Sequence, residues 1–175
     1  MQTKACEPGQ LEFTSFYKQM APRIYTYLLR LCHKQHLAEE LLQETFLAIY
    51  KSMHTFDPKQ ASAKTWAFAI ATNKFRDQQR KNWEKEISSE LMDLHACHKP
   101  SPETLASLNQ DAQRLQRAVL ALPPKLRATL LLVRFEGLKY REAADVLGVS
   151  LGTVRMQLHR SLAILKKNLA GAEDE

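Results

Sequence analysis

The run from Tyr140 to Leu169, YREAADVLGVSLGTVRMQLHRSLAILKKNL, constrains the fold more than any other part of the chain. Ala143, Ala144, Val146 and Leu147 give a first helix one apolar face, with alanines small enough for a second helix to cross closely. Gly148 ends that helix, because glycine takes the left-handed conformation that closes a helix C-terminus without steric cost. Ser150 follows as an N-cap, its hydroxyl placed to accept a backbone N–H of the next turn. Val154, Leu158, Leu162, Leu165 and Leu169 then recur at intervals of three or four, committing one face of the second helix to a core. The pattern predicts a helix-turn-helix.

The other face of that second helix carries the chemistry. Rotation by about 100° per residue brings Gly152, Arg155, Met156, His159 and Arg160 together on the outside. A DNA major groove admits one helix, and an arginine there can donate two hydrogen bonds to a guanine edge. A merely solvated basic face is the alternative; the alanines, glycine stop and serine cap at their spacing favour the DNA reading.

Charge supports a polyanionic partner. The net charge is +6, and residues 11–83 hold 11 Lys/Arg against 6 Asp/Glu while residues 114–170 hold 11 against 3. Between them residues 84–113 hold 2 against 6. Two basic blocks on either side of an acidic segment suggest two bodies that each meet a polyanion and a joint that does not.

The remaining elements also read as helices. Leu11, Phe13, Phe16, Tyr17 and Met20 mark one, and Pro22 suits the start of another through Ile24, Tyr27, Leu28 and Leu31. A third runs from about Leu37 to Met53, and FDPKQASAK is a loop in which Pro58 biases Asp57 away from helix. The fourth, from about Thr65 to Trp83, begins apolar with WAFAIA and turns polar and basic with NKFRDQQRK, as if its second half leaves a bundle. Residues 84–107 lose periodicity and carry Ser-Pro and Lys-Pro signals, so they read as a linker. Leu108 to Leu120 resumes a helix, and Pro123-Pro124 opens another that Gly137 ends just before the helix-turn-helix. No alternating pattern occurs and glycines number only 5, so the chain reads as all-α, with two small helical domains at 11–83 and 108–170.

Some classes fall away. No apolar run approaches the roughly 20 residues of a membrane span, and MQTKACEPGQ lacks a secretion signal's apolar stretch, which places the chain in the cytoplasm. Cys6, Cys32 and Cys97 are odd in number and widely spaced, which suits a reducing compartment rather than a disulfide framework. The clusters Cys32-His33 with His36, and His95 with Cys97-His98, each lack a second Cys/His pair at zinc-finger spacing, so no metal is assigned. No glycine-rich nucleotide loop, HExxH or GxSxG is present; neither catalytic residues nor a cofactor are expected. A self-sufficient dimeric repressor would leave the N-terminal half unexplained.

On these residues the chain resembles a known family. LPPKLRATLLLVRFEGLKYREAADVLGVSLGTVRMQLHRSLAILKKNL is similar to the C-terminal domain of bacterial sigma-70 family sigma factors of the extracytoplasmic-function group. AEELLQETFLAIYKSMHTFDP, followed by WAFAIATNKFRDQQRK, resembles their N-terminal domain, and the two matches stand in the family's order across a linker of the family's kind. The resemblance implies two helical domains on a flexible linker that bind core RNA polymerase, through its beta-prime and beta subunits, and promoter DNA. It also implies control by an anti-sigma factor, without membrane insertion.

The resemblance further implies roles for particular residues. Glu40, Leu41, Gln43, Glu44 and Phe46 would meet a coiled coil of the beta-prime subunit, with Glu40 standing where the family usually has aspartate; Leu41 and Phe46 could equally face inward. The Asp57–Lys64 loop would take an extruded base of the minus-ten element, with Lys64, Asn73, Lys74, Asp77 and Arg80 contributing polar contacts. Trp66 is either a stacking platform or, beside Phe68 and Ile70, part of the core. At the minus-thirty-five element, Tyr140, Ser150, Gly152 and Thr153 would contact the backbone while Arg155, His159 and Arg160 read the groove. Met156 departs from a small polar residue, and Val133 from an arginine, with Arg134 beside it.

Overall fold

A computed structural model of the chain describes residues 12–88 and 110–170, with side chains placed for 12–81 and 112–170. Every regular element among them is helical: α1 (Phe13–Cys32), α2 (Gln35–Ser52), α3 (Ala63–Ser88), α4 (Gln110–Leu120), α5 (Pro124–Leu130), α6 (Tyr140–Leu147) and α7 (Leu151–Ala170). A 3-10 turn, Met53–Thr55, follows α2, and a π turn, Leu131–Phe135, extends α5. The all-helical reading of the sequence holds among the described residues.

Helices α1, α2 and α3 pack mutually as a bundle. Ile24, Leu28 and Leu31 from α1, Leu41 and Ile49 from α2, and Phe68 from α3 are fully or almost fully buried, each such side chain contributing about 1.5–3 kcal/mol of transfer free energy. Tyr27 crosses this core with its ring edge-on to Phe68 at 5.2 Å, and its hydroxyl meets Thr72 Oγ1 at 2.9 Å. Burial pushes the Tyr27 phenol far above its usual range.

The expected break at Pro22 does not occur. Pro22 lies inside one continuous α1. Its ring forfeits the hydrogen bond to the carbonyl four residues earlier, at a cost of about 3 kcal/mol in an ordinary helix interior. Phe16 and Met20 before it and Ile24 and Tyr27 after it all enter the same core, and that shared burial offsets the loss. Helix α3 likewise outruns its expected end near Trp83 and continues to Ser88; the rest of the expected linker, with His95, Cys97 and His98, lies outside the described residues.

In the C-terminal half, α7 is the central element and packs against α4, α5 and α6. The two halves also meet. Helix α3 packs along α6, α1 touches α5, and the buried apolar residues of both halves connect into one cluster. No helix among the described residues is long and apolar enough to cross a membrane.

Candidate nucleic-acid interface

The turn between α6 and α7 has the predicted chemistry. Gly148 sits at φ +60°, and its N–H returns to the carbonyls of Ala144 and Asp145. Ser150 Oγ then accepts the Thr153 N–H at 3.1 Å and meets Thr153 Oγ1 at 2.9 Å, so both Ser150 and Thr153 serve the helix start. At the other end of α6 the Lys139 N–H donates to Glu142 Oε2 at 2.7 Å, which fixes Tyr140 as the first helical residue. Tyr140 is itself exposed.

Rotation of α7 about its own axis is pinned from inside. Val154, Leu158, Ser161 and Leu165 are buried, Ser161 Oγ lies 3.1 Å from the Leu126 carbonyl, and Gln157 Oε1 accepts from Thr129 Oγ1 at 2.6 Å. Gly152, Arg155, Met156, His159 and Arg160 are consequently all exposed on one face. The five outward residues are those expected from the sequence, but Leu162, expected in the core, is 40% exposed, because it falls at the edge of the buried face next to Arg155. Val133 is half-buried and Arg134 exposed.

In the N-terminal half, the Asp57–Lys64 loop is organised by Asp57, whose carboxylate accepts the Lys59 N–H at 2.9 Å and Gln60 Nε2 at 3.0 Å. Ser62 Oγ caps α3 by accepting the Thr65 N–H at 3.0 Å. Trp66 is half-buried and packed on the core, with its ring 4.9 Å from that of Phe56, in keeping with the core reading of it. Along α3, Asn73, Asp77 and Arg80 are exposed, and Arg80 pairs with Asp77 at 3.5 Å. Lys74 instead reaches Glu44 on α2 at 3.4 Å, joining two residues expected to serve different partners.

The polymerase-directed set divides. Glu40 and Gln43 are exposed and Glu44 is half-buried, whereas Leu41 is 2% and Phe46 5% exposed. Those two are core residues rather than surface contacts: they hold α2 against the bundle, and the polar residues between them face out. Sequence reasoning missed the neighbouring aromatic group, in which Tyr17 stacks edge-on with Phe46 at 4.6 Å and Phe13 with Tyr50 at 5.2 Å. Tyr50 is 64% exposed and Leu47 59%. Their spacing, i and i+3 on a helix already committed to a core by Phe46 and Ile49, was the available signal.

The junction between the halves was also missed. Glu136, only 8% exposed, accepts from Arg23 through Oε2, with Nη2 at 2.8 Å and Nε at 3.2 Å. Its carbonyl accepts from Lys64 Nζ, so one of the residues expected at the minus-ten element is engaged here. Burial, and after it the Arg23 charge, hold the Lys64 ammonium below its usual range. Arg76 Nη2 donates to the Leu147 carbonyl at 2.7 Å, supplying a donor to the C-terminal end of α6. Arg127 Nη1 donates to the Leu31 carbonyl at 2.7 Å and meets His33 Nε2, while its Nη2 serves Leu120 and Leu122 in its own half. An open cleft of about 600 Å³ lies between the Asp57–Lys64 loop and α6, lined by Lys59, Gln60, Ser62, Arg141 and Glu142 among others.

Cys32 and His33 do not converge with His36 on a common point: Cys32 Sγ lies 3.4 Å from the Lys34 carbonyl, and His33 faces Arg127. Among the described residues no group of three or more His, Cys, Asp or Glu could hold a metal ion.

Both halves have counterparts among known proteins. Residues 16–85 match the family Sigma-70 region 2, and residues 112–165 match Sigma-70, region 4. The extracytoplasmic-function RNA polymerase sigma factor SigE of Mycolicibacterium smegmatis is 36% identical over 160 residues, which is 90% of this chain and 62% of that protein. The chain therefore spans less than two thirds of that relative's length. RNA polymerase sigma factor YlaC of Bacillus subtilis is 30% identical over 161 residues, 91% of this chain and 92% of its own. Among solved structures, the sigma factor RpoE bound to the anti-sigma factor NepR, from Bartonella quintana, shares the fold with a TM-score of 0.76 over 90% of this chain and 96% of that one, at 23% identity. With both family regions in order along one chain, and a relative of nearly equal length at 30% identity, the protein belongs to the sigma-70 family of RNA polymerase sigma factors, in its extracytoplasmic-function group.

Proposed function

We propose that this chain binds core RNA polymerase and directs initiation at a subset of promoters, reading the minus-thirty-five element as duplex with α7 and the minus-ten element as unpaired strand with α3 and the Asp57–Lys64 loop. The observation that carries this reading is the pair of exposed polar faces on separate halves of one chain, Arg155, His159 and Arg160 on one and Asn73, Asp77 and Arg80 on the other.

Each step has a physical basis. The N-terminus of α7, capped by Ser150 with Thr153 beside it, leaves N–H groups that suit a phosphate, and Tyr140 is exposed at the start of α6. Arginine side chains then reach base edges that phosphate contacts have brought into register. Strand opening needs no chemical catalyst: unpaired bases are held by polar contacts and stacking, and the captured energy offsets unpairing. The chain accordingly acts without an enzymatic activity of its own, in the cytoplasm with the polymerase. Each half alone binds DNA weakly and with strong salt dependence, whereas fixing both on the polymerase makes the second contact intramolecular. Glu40, Gln43 and Glu44 present acids and an amide to a basic helical partner on the polymerase.

Control by an anti-sigma factor belongs to the same reading. It draws on RpoE co-crystallised with NepR, and on the structure of CnrH in complex with the cytosolic domain of CnrY, a fold neighbour at TM-score 0.68.

Reconstitution with core enzyme tests the proposal. The wild-type chain gives promoter-dependent transcripts from a genomic template library, and the Arg155→Ala/Arg160→Ala variant loses at least tenfold of that activity while still co-purifying with core enzyme. Two bidentate contacts at about 1–3 kcal/mol each predict a loss of that size or larger. Absence of promoter-dependent product from the wild type would defeat the proposal, and full activity in the double variant would reduce the chain to a protein adaptor.

A further inference from the structure

We propose that Met156 selects sequence in the upstream duplex by packing against the C5-methyl group of a thymine; this rests on the reading that α7 enters the major groove there. The buried positions Val154, Leu158, Ser161 and Leu165 define the inward direction of α7. At about 100° per residue, Met156 lies within roughly 10° of the line directly opposite their mean. Among the side chains of the helix's first two turns it therefore projects most directly away from the domain.

Its surroundings leave it bare. Met156 is 46% exposed, and Arg155, His159 and Arg160 beside it are exposed as well. Helical side chains lean toward the N-terminus, which carries the Met156 thioether over the turn that begins at Gly152. Gly152 offers no side chain, and a Cβ added there would meet only Ser150 Oγ, at 3.7 Å. The helix itself thus has no steric need for glycine at 152, and the approach to Met156 from that side is open.

The chemistry of the side chain narrows what it can read. A thioether is at most a weak acceptor and donates nothing, so it cannot match the donor and acceptor patterns of guanine, adenine or cytosine edges. What it supplies is apolar, polarisable surface that adapts through three rotatable bonds. Only thymine presents a methyl group in the major groove. Arg155 and Arg160 lie on either side of Met156 around the helix and hold the phosphates or guanines that fix its register. The element this chain prefers accordingly contains a thymine on one strand next to a base pair contacted by one of those arginines.

Deoxyuridine removes that methyl and nothing else, which gives the test. Holoenzyme assembled from the full chain and core RNA polymerase is used to select upstream elements from a randomised promoter library, and each thymine of the winning element is replaced in turn by deoxyuridine. The expected result is that one replacement weakens promoter binding by the wild type about fourfold, the worth of one buried methyl group. Met156→Ser should show no loss at that base and a relaxed preference for thymine there, while Met156→Leu keeps the effect. The position is exposed, so unchanged thermal unfolding of both variants checks that folding is not involved. A winning element without thymine, a wild type indifferent to every methyl, or an equal methyl effect in Met156→Ser overturns the assignment while leaving promoter-directed initiation intact. Failure to select any element would sink the underlying reading and this assignment together.

Discussion

Arg127 occupies a position where the apolar spacing of α5 would accept a leucine. It is 6% exposed, yet its guanidinium donates to carbonyls at Leu31, Leu120 and Leu122. Two of these close the loop after α4 and the third lies at the end of α1, so one side chain supplies donors where helix ends leave carbonyls unpaired. Replacing it with methionine keeps the apolar stem and strips the donors from three carbonyls. We expect Arg127→Met to lower the unfolding free energy by about 3 kcal/mol in urea titrations followed by circular dichroism, against less than about 0.5 kcal/mol for Arg155→Met on the exposed face. Equal effects would show that the Arg127 bonds are matched by water in the variant. The residue scale also shows why some assignments were legible and others were not. Arg155, His159 and Arg160 could be placed outside because Val154, Leu158 and Leu165 on the far side fix the helix rotation. Leu41 and Phe46 could not be settled, since an apolar residue on a partner-binding helix serves a core or an interface equally well by periodicity alone. Arg127 left a trace that was available: an arginine in step with Leu130 and Leu131 on an otherwise apolar turn.

Elements were legible where local chemistry agrees with tertiary packing. The α6–α7 turn is such a case, and its two glycines make opposite predictions. Gly148 lies at φ +60° with nothing within 4 Å of an added Cβ, so Gly148→Ala meets backbone strain and no clash. Its expected cost is about 1 kcal/mol, read as a lowered midpoint in thermal unfolding. Gly152 has ordinary helical geometry and an unobstructed Cβ position, so Gly152→Ala should leave stability unchanged or raise it by up to about 1 kcal/mol. If α7 seats against DNA as proposed, that same alanine weakens promoter binding because it crowds the approach; stability and binding then move in opposite directions. A variant that lost both would place the need for glycine inside the protein. Where local and tertiary terms conflict, sequence reading failed. Pro22 predicts a boundary from its own ring geometry, but the apolar face running through Phe16, Met20, Ile24 and Tyr27 carries the helix past it. The π turn at Leu131–Phe135 left no signature that periodicity could catch, although it delivers Glu136 to the junction with the N-terminal half.

At the scale of the whole molecule, the charge distribution marked two basic blocks of sequence but said nothing of how the two halves meet. Arg23 and Glu136 are 113 residues apart in sequence, and a polar pair at that separation leaves no periodic trace. In this arrangement Lys64 is engaged by the Glu136 carbonyl, and the Asp57–Lys64 loop looks across a cleft at α6, while α7 keeps its outer face free of the junction. The proposed function requires the halves to separate. Elements centred ten and thirty-five base pairs upstream lie on the order of 85 Å apart along a duplex, whereas a compact body of this length measures about 40 Å across. Glu136 is the natural place to loosen the contact, because its carboxylate is buried and takes both nitrogens from Arg23. Glu136→Ala leaves the Arg23 guanidinium facing a position without its counter-charge, yet it touches none of the residues assigned to DNA through α7. Small-angle scattering of the free chain should therefore show a larger radius of gyration for Glu136→Ala than for the wild type at equal salt, with helical content unchanged by circular dichroism. Raising the salt concentration should move the wild type a small part of the way and the variant hardly at all, since a pair with a buried Glu136 and a 40% exposed Arg23 is partly screened and an absent one is not. Identical scattering curves for the two proteins at low salt would mean that the apolar contacts and the Arg76 and Arg127 bonds hold the halves together without Glu136.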